Sequence, residues 1–212
     1  MKSILIAGLL AAIATPAAAQ HRFRVGTVEF TTALPAGYCA AEGSNAAVAQ
    51  MVAASDNRNV THLTTLSCDA DKAWKDYFIL KTPNELLAVS TNTTELQQAV
   101  GPVLKAAQSG GENDEASKSV SRTMGSPVQI KGEVRGYGQD AHCLYLGAVL
   151  DMAAPEKGIS YTLAMSGCMT VVSGKVVTIY RYAPGTTDAD VRKLMPSVLE
   201  FAKAIKPVAA AN

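Results

Sequence analysis

The sequence predicts an α+β fold in which an antiparallel sheet is flanked by helices. Strand patterns are dense in the second half of the chain, at 128–134, 142–150, 159–172 and 175–182, and Gly- or Pro-containing turns separate them. Short connections of this kind join antiparallel neighbours. A helix is predicted at the end of each half, and its apolar stripe needs a sheet face to cover.

The clearest unit is 175–206, a strand followed by a turn and a capped helix. β-branched and aromatic residues dominate the strand at 175–182, and a Pro-Gly turn ends it. Thr187 is the predicted N-cap, and Asp190 three residues later completes a capping box. Pro196 lies within the helix pattern, where we expect a kink. The apolar stripe of this helix consists of Val191, Leu194, Met195, Val198, Ala202 and Ile205.

The first half of the chain alternates strand and helix patterns. Strand patterns occupy 23–30, 60–68 and 77–81. A short helix is predicted at 46–54, and a second helix begins at 93–94. Each predicted element ends in a polar, Gly or Pro cluster, as expected for a globular α+β chain.

Composition divides the chain into two halves. We expect an N-terminal half at 20–108, an exposed polar loop at 109–121 and a C-terminal half at 122–212. An alternative to a single sheet is a pair of pseudo-repeated strand-helix halves. The segment 96–104 resembles 191–199, and a strand and two cysteines precede each of them.

The first 19 residues have the pattern of a secretory signal peptide. A short basic opening precedes an apolar run at 4–14. Small residues follow at Ala17 and Ala19, the two positions before the cleavage site that a signal peptidase recognises. We expect cleavage after Ala19, a mature chain that begins at Gln20, and a periplasmic location. The apolar run is too short to span a membrane, and no later segment is long enough, so no integral membrane segment is predicted in the mature chain.

The charge balance disfavours polyanionic partners. Removal of the signal peptide takes one lysine and leaves 18 basic and 18 acidic residues, scattered along the chain. Proteins that bind nucleic acid or anionic membrane surfaces usually concentrate basic residues in a patch. The sequence therefore predicts no nucleic-acid partner.

Four cysteines remain after cleavage, an even number that favours two disulfides in an oxidising compartment. Three pairings are possible. We favour Cys39 with Cys68 and Cys143 with Cys168, because their separations of 29 and 25 residues suit elements that pack within each half. No Cys-x-x-Cys or His-x-x-x-His pair supports a zinc site.

Several of these motifs resemble those of small, uncharacterised exported bacterial proteins. The motifs are Leu-Pro-Ala-Gly-Tyr-Cys at 34–39, Leu-Ser-Cys-Asp at 66–69, and the strand at 174–182 followed by an Asp-capped helix. Those proteins are similar to the PsbP-like α/β/α sandwich. The resemblance implies an antiparallel sheet between helices and accessory or binding roles, and it carries over no functional residue.

Histidines offer the natural candidates for catalysis. His142 stands beside Cys143 with Asp140 nearby, but neighbours in a strand point to opposite faces and do not form a nucleophile and base pair. One alternative function is a hydrolase with dispersed residues, His62 and His142 with Asp140 or Asp69. Its side chains must meet at hydrogen-bond distances.

A second alternative is copper binding. His21 is the second residue of the predicted mature chain, so a free amine and an imidazole stand side by side. Met165, Cys168 and Met169 add soft ligands of the kind that Cu(I) prefers. The leading hypothesis remains a soluble, non-catalytic periplasmic protein without a cofactor, whose sheet presents a surface or cleft to an envelope protein or a small ligand.

Overall fold

A computed structural model describes residues 20–106 and 110–209. The predicted signal peptide and its cleavage site lie outside the described residues. The four helices are α1 (Ser44–Ser55), α2 (Thr93–Ala106), α3 (Gly110–Met124) and α4 (Asp188–Ala204). The strands are β1 (Gln20–Val25), β2 (Val28–Ala33), β3 (Tyr38–Ala40), β4 (Asn59–Ser67), β5 (Tyr77–Pro83), β6 (Gln129–Lys131), β7 (Arg135–Gln139), β8 (Leu144–Ala154), β9 (Ile159–Val172), β10 (Lys175–Pro184) and β11 (Lys206–Pro207).

The strands form one large antiparallel sheet and one small one. The large sheet has eight strands in the order β3-β4-β5-β10-β9-β8-β6, and β7 pairs with β8 beside β6. The small sheet has the order β1-β2-β11. Both halves of the chain contribute to the large sheet and meet where β5 pairs with β10, with Leu80 opposite Ile179. The halves therefore share one sheet.

Strands β9 and β10 form a long hairpin, which turns at Ser173 and Gly174. Both turn residues have a positive φ, 47° and 79° respectively. Turns of this kind match the right-handed twist of the flanking strands. The two-residue hairpin predicted at this point is confirmed.

One face of the large sheet is covered by α4 and the small sheet. Ile179 and Leu80 are fully buried there against Val198 and Phe201 of α4. The helix lies close to the strands at Gly147, where an added Cβ would stand 2.4 Å from Cγ1 of Val191. A glycine in the middle of β8 thus sets the distance between this helix and the sheet.

The other face is covered by α1, α2 and α3. Asp56, at the end of α1, pairs with Lys81 of β5, with Oδ2 and Nζ 2.5 Å apart. In α3 the Ser117 hydroxyl receives a hydrogen bond from the backbone N–H of Ile130 in β6. Leu104 of α2 packs in a second apolar cluster. The predicted antiparallel sheet flanked by helices is confirmed.

The N-terminus of α4 follows the sequence prediction. The Thr187 hydroxyl accepts a hydrogen bond from the backbone N–H of Asp190, and the Asp190 carboxylate accepts one from the backbone N–H of Thr187. This is the predicted capping box. The helix continues through Pro196 to Ala204 without interruption.

Three sequence predictions are wrong in detail. The exposed polar loop expected at 109–121 is helical from Gly110, because its Ala, Glu and Lys residues favour helix and its serines bond to the backbone of Val128 and Ile130. The single strand expected at 23–30 is the β1–β2 hairpin, which turns at Gly26. The strand expected at 128–134 breaks at Gly132, whose φ is 144°.

Candidate functional site

A cleft of about 400 Å³ lies between the β2–β3 connection and the C-terminal half of α4. It lies on the sheet face that α4 covers. Ser197 and Glu200 of α4 stand at its edge, and Tyr38 and Arg181 line it with polar groups. The walls are otherwise apolar and include Leu34, Pro35, Ala36, Phe78, Phe201 and Ala204.

A network of three side chains contributes the polar groups. The Tyr38 hydroxyl donates to Oδ1 of Asp76 over 2.6 Å. Arg181 donates from Nε to Oδ1 of Asp76 over 3.3 Å and from Nη2 to Oδ2 over 3.2 Å. The Arg181 and Asp76 side chains are each 21% exposed, so the ion pair is largely withdrawn from water. Paired charges of this kind depend on each other, because removal of one partner leaves the other buried and uncompensated.

Aromatic rings fix the plane of the arginine. The guanidinium carbon of Arg181 lies 5.3 Å from the ring centroid of Phe78 and 5.6 Å from that of Tyr38. The two rings meet edge to face at 4.7 Å. Cation–π contacts at these distances stabilise a partly desolvated guanidinium. Arg181 is therefore held in one orientation at the cleft.

The protonation of the network follows from its burial. Burial raises the pKa of Tyr38, and the hydrogen bond to Asp76 raises that pKa further, so the phenol remains a donor. Arg181 has five N–H groups, and Asp76 accepts from two of them. The Tyr38 hydroxyl is also close enough to the guanidinium to interact with it. The network is neutral overall, and Arg181 has N–H groups beyond the two that Asp76 accepts beside an apolar cleft.

The two predicted disulfides are confirmed and have different environments. Cys39 of β3 is bonded to Cys68 just after β4, and both residues are exposed. Cys143 is bonded to Cys168 of β9, and both residues are 0% exposed. Cys39 directly follows Tyr38 in β3, so the exposed disulfide is attached to the strand that lines the cleft, although the Cys39 side chain points to the opposite face of the sheet.

The proposed hydrolase residues are not brought together. His62 lies in β4, and His142 lies just before β8, four strands away across the sheet, which corresponds to about 19 Å. Asp69 lies seven residues beyond His62, roughly 23 Å along an extended chain, and pairs with Lys72. These distances exclude one shared centre at hydrogen-bond range.

Asp140 has a structural role in the turn before β8. Its Oδ1 accepts from the backbone N–H groups of His142 and Cys143, at 2.7 and 2.8 Å, and its Oδ2 accepts from the Tyr145 hydroxyl at 2.7 Å. These bonds lower the pKa of Asp140 against the opposing effect of desolvation. The carboxylate orders the chain beside the buried disulfide.

His62 is a half-buried residue that stays neutral near pH 7. The hydroxyl of Thr82 donates to the carbonyl of Val176, so Nε2 of His62 must donate to the Thr82 oxygen, 2.9 Å away. Burial, followed by the nearby His21, lowers the pKa of His62 to about 4. The ring also lies 5.1 Å from Phe23. These contacts join the small sheet to β4.

The residues named for copper do not converge. Nε2 of His21 lies 3.1 Å from the backbone carbonyl oxygen of His62. Met165 and Met169 pack in the apolar cluster on the other face of the sheet, and Cys168 is in a disulfide. No group of three or more His, Cys, Asp or Glu side chains suited to a metal ion occurs in the described part of the chain.

Sequence reasoning missed the Tyr38–Asp76–Arg181 network. Asp76 lies 38 residues from Tyr38 and 105 residues from Arg181, so no local motif links them. The nearest signal was Tyr38 itself, an aromatic residue between a Pro-Ala-Gly turn and a cysteine. That pattern predicted a turn and a disulfide but no polar site.

The fold and the cleft define an α+β protein with a partly buried arginine beside an apolar cleft. Among solved structures, the solution structure of cyanobacterial PsbP (CyanoP) from Synechocystis sp. PCC 6803 is similar to this chain, with 11% identity and a TM-score of 0.38. The match covers 94% of this chain and 99% of that chain. No protein-family model matches the chain, and no curated protein matches it. Within 20–106 and 110–209, no helix is long and apolar enough to cross a membrane.

Proposed function

We propose that this protein is a non-catalytic binding or accessory protein of the cell envelope and that the cleft beside Arg181 holds a small ligand. The carrying observation is the guanidinium itself, which stands at an apolar cleft and has N–H groups beyond the two that Asp76 accepts. Ligand sites in proteins combine apolar walls with a few fixed polar groups. The cleft has this composition.

The charges at the cleft favour an uncharged ligand. Asp76 already compensates Arg181, and Glu200 at the edge adds a carboxylate, although Lys203 pairs with it. A ligand anion would therefore find little net positive charge. A neutral acceptor such as a ketone or amide carbonyl can accept a hydrogen bond from an N–H group of Arg181 that does not reach Asp76, while its apolar body contacts Phe78 and Phe201.

The proposed location is the periplasm, after cleavage behind Ala19. The leader pattern of residues 1–19 supports export, and the two disulfides are typical of an oxidising compartment. Fractionation of cells followed by intact mass spectrometry tests this part. We expect a periplasmic chain that begins at Gln20; a cytoplasmic chain that retains Met1 would contradict it.

The binding proposal is tested with a fluorescent probe of the proposed chemistry. Prodan is a neutral naphthalene that carries a ketone, and its emission responds to hydrogen bonding at that ketone. We expect saturable binding of prodan by the purified protein. Binding of 2-dimethylaminonaphthalene, which lacks the ketone, should be weaker by about tenfold, the effect of losing one hydrogen bond to a charged donor.

A variant that fills the cleft provides the control. Ala36→Trp places a large ring at the exposed wall and leaves Arg181 and Asp76 in place. We expect it to abolish prodan binding, whereas Ala70→Trp, at an exposed position outside the cleft, should bind as the unmodified protein does. Equal binding by both variants, or turnover of ester substrates by the protein, would overturn the proposal.

A further inference from the structure

The exposed disulfide holds a part of the chain that is otherwise weakly attached. The edge strand β3 has three residues and pairs with β4 alone, Tyr38 opposite Ser67 and Cys39 opposite Leu66. Beyond this ladder, the backbone N–H of Cys68 donates to the carbonyl of Gly37. Short edge elements with few bonds are the first parts of a protein to open.

This same segment builds the cleft. Residues 33–36 form one wall, and Tyr38 supplies the hydroxyl that bonds to Asp76. The Cys39–Cys68 bond is the covalent link that holds the segment against β4. The position of the wall therefore depends on a disulfide that water and other proteins can reach, whereas Cys143–Cys168 is sealed in the core.

We infer that the Cys39–Cys68 disulfide is a redox latch for the cleft, an inference that rests on the proposed binding function. The reductant is the reduced dithiol of a thiol–disulfide oxidoreductase. Its thiolate attacks one sulfur of the exposed disulfide, breaks the S–S bond and forms a mixed disulfide, while the other cysteine leaves as a thiolate and takes up a proton. The second thiol of the reductant then attacks the mixed disulfide, which frees the first cysteine.

The balance of this exchange is two electrons and two protons. Cys39 and Cys68 become thiols, and the two thiols of the oxidoreductase become a disulfide. Ala33 remains paired in β2, and residues 34–40 are then held by the short ladder, the Cys68–Gly37 backbone bond and the contacts of Leu34 and Tyr38. Once the segment separates, the cleft loses a wall and the Tyr38–Asp76 bond, and it releases its ligand.

The first test is chemical reduction under native conditions. The folded protein is treated with dithiothreitol, alkylated with iodoacetamide and digested without further reduction. We expect Cys39 and Cys68 to be alkylated while Cys143 and Cys168 remain bridged. Simultaneous reduction of both bonds, or earlier reduction of the buried one, would overturn the latch.

The second test measures the opening and the binding separately. Amide hydrogen exchange over 33–40 should quicken by at least about tenfold on reduction, and prodan affinity should fall with it. The double variant Cys39→Ala/Cys68→Ala should show fast exchange whether or not reductant is present. If reduction of the unmodified protein left amide exchange over 33–40 unchanged, that result alone would contradict the latch.

The two proposals fail in different ways. Faster exchange over 33–40 with no prodan binding in either redox state would overturn the ligand cleft and support the opening of the latch. Equal prodan affinity in both redox states would overturn the latch and leave the ligand cleft intact.

Discussion

The Tyr38 hydroxyl donates a hydrogen bond to Oδ1 of Asp76 over 2.6 Å, and these residues lie 38 positions apart in the chain. The bond ties the edge strand β3 to the residue that precedes β5. Arg181 donates hydrogen bonds to the same carboxylate. One contact therefore joins the edge of the sheet, the buried ion pair and the wall of the cleft.

Replacement of Tyr38 by Phe should destabilise the protein by about 1.5–3 kcal/mol, since the lost bond has a charged, partly buried acceptor and leaves Oδ1 of Asp76 with Arg181 as its remaining donor. Urea unfolding measures the change. Tyr161→Phe is the matched control, because no described residue bonds to that hydroxyl, and its stability should stay within about 0.5 kcal/mol of the unmodified protein. Equal losses in the two variants would contradict the role of the bond.

His62 should make the protein less stable in acid. Its pKa is about 4 in the folded protein against an ordinary value of 6.5, so the unfolded chain binds a proton first as the pH falls. The stabilisation is complete above about pH 6.5, decreases between pH 6.5 and 4, and does not decrease further below pH 4. After allowance for partial exposure, the loss is roughly 2 kcal/mol.

The pH effect is isolated by comparison with His62→Gln, whose amide can still donate to Thr82. Urea unfolding of both proteins at pH 7, 5.5 and 4 gives the pH dependence of each free energy of unfolding. The difference between the two is the contribution of His62, because the other titrating groups are the same in both proteins. We expect the free energy of unfolding of the variant to fall less over this range. Parallel curves for the two proteins would show that His62 has no part in acid sensitivity.

Two glycine substitutions should differ strongly in their effect on stability. In Gly147→Ala the new Cβ would stand 2.4 Å from Cγ1 of Val191 and 3.0 Å from the backbone oxygen of Met165, and we expect a loss of about 1–3 kcal/mol from overpacking. In Gly101→Ala the nearest neighbour is Oε1 of Gln139 at 3.6 Å. The helix propensity of Ala, worth about 0.5–1 kcal/mol, is opposed there by the clash of its Cβ with the ring of Pro102, so that variant should lose much less than Gly147→Ala. Thermal unfolding of both variants measures the two changes, and a stable Gly147→Ala would contradict the close approach of α4.

Lys175 should anchor the connection between β5 and α2. Its side chain is buried, and Nζ donates to the carbonyls of Val89 at 3.0 Å, Ala88 at 3.4 Å and Leu87 at 3.5 Å. Lys175→Met keeps the length of the side chain and removes these donors, and we expect a loss of about 1–3 kcal/mol.

Hydrogen exchange localises the effect of that substitution. Amides at 86–91 should lose protection in Lys175→Met, whereas the exposed control Lys157→Met should exchange as the unmodified protein does. Unchanged protection at 86–91 would mean that the carbonyl contacts do not hold the connection.

The sequence revealed elements whose determinants are local. Thr187 and Asp190 lie three residues apart, and Ser173 with Gly174 occupies adjacent turn positions, so each pattern fits in one short window. The disulfide pairing could also be predicted from the sequence, because each pair lies within one half of the chain. These predictions needed no knowledge of distant contacts.

The elements that the sequence missed depend on tertiary contacts. Ser117 and Ser121 gave the α3 segment a linker composition, yet their hydroxyls bond to the backbone at 128–130 and hold a helix there. Gly26 looked like part of a strand, although its φ of 57° makes it a turn. Arg181 lies 105 residues from its partner Asp76, so the candidate site could not be read from any local pattern.

The most direct test of the binding cleft is a titration of ¹⁵N-labelled protein with prodan, followed by amide chemical shifts. We expect the largest shifts at 33–38 and 197–204, which line the two sides of the cleft, and little change in Ala36→Trp. Shifts concentrated at 117–128 on the opposite face, or none at saturating prodan, would contradict a ligand site beside Arg181.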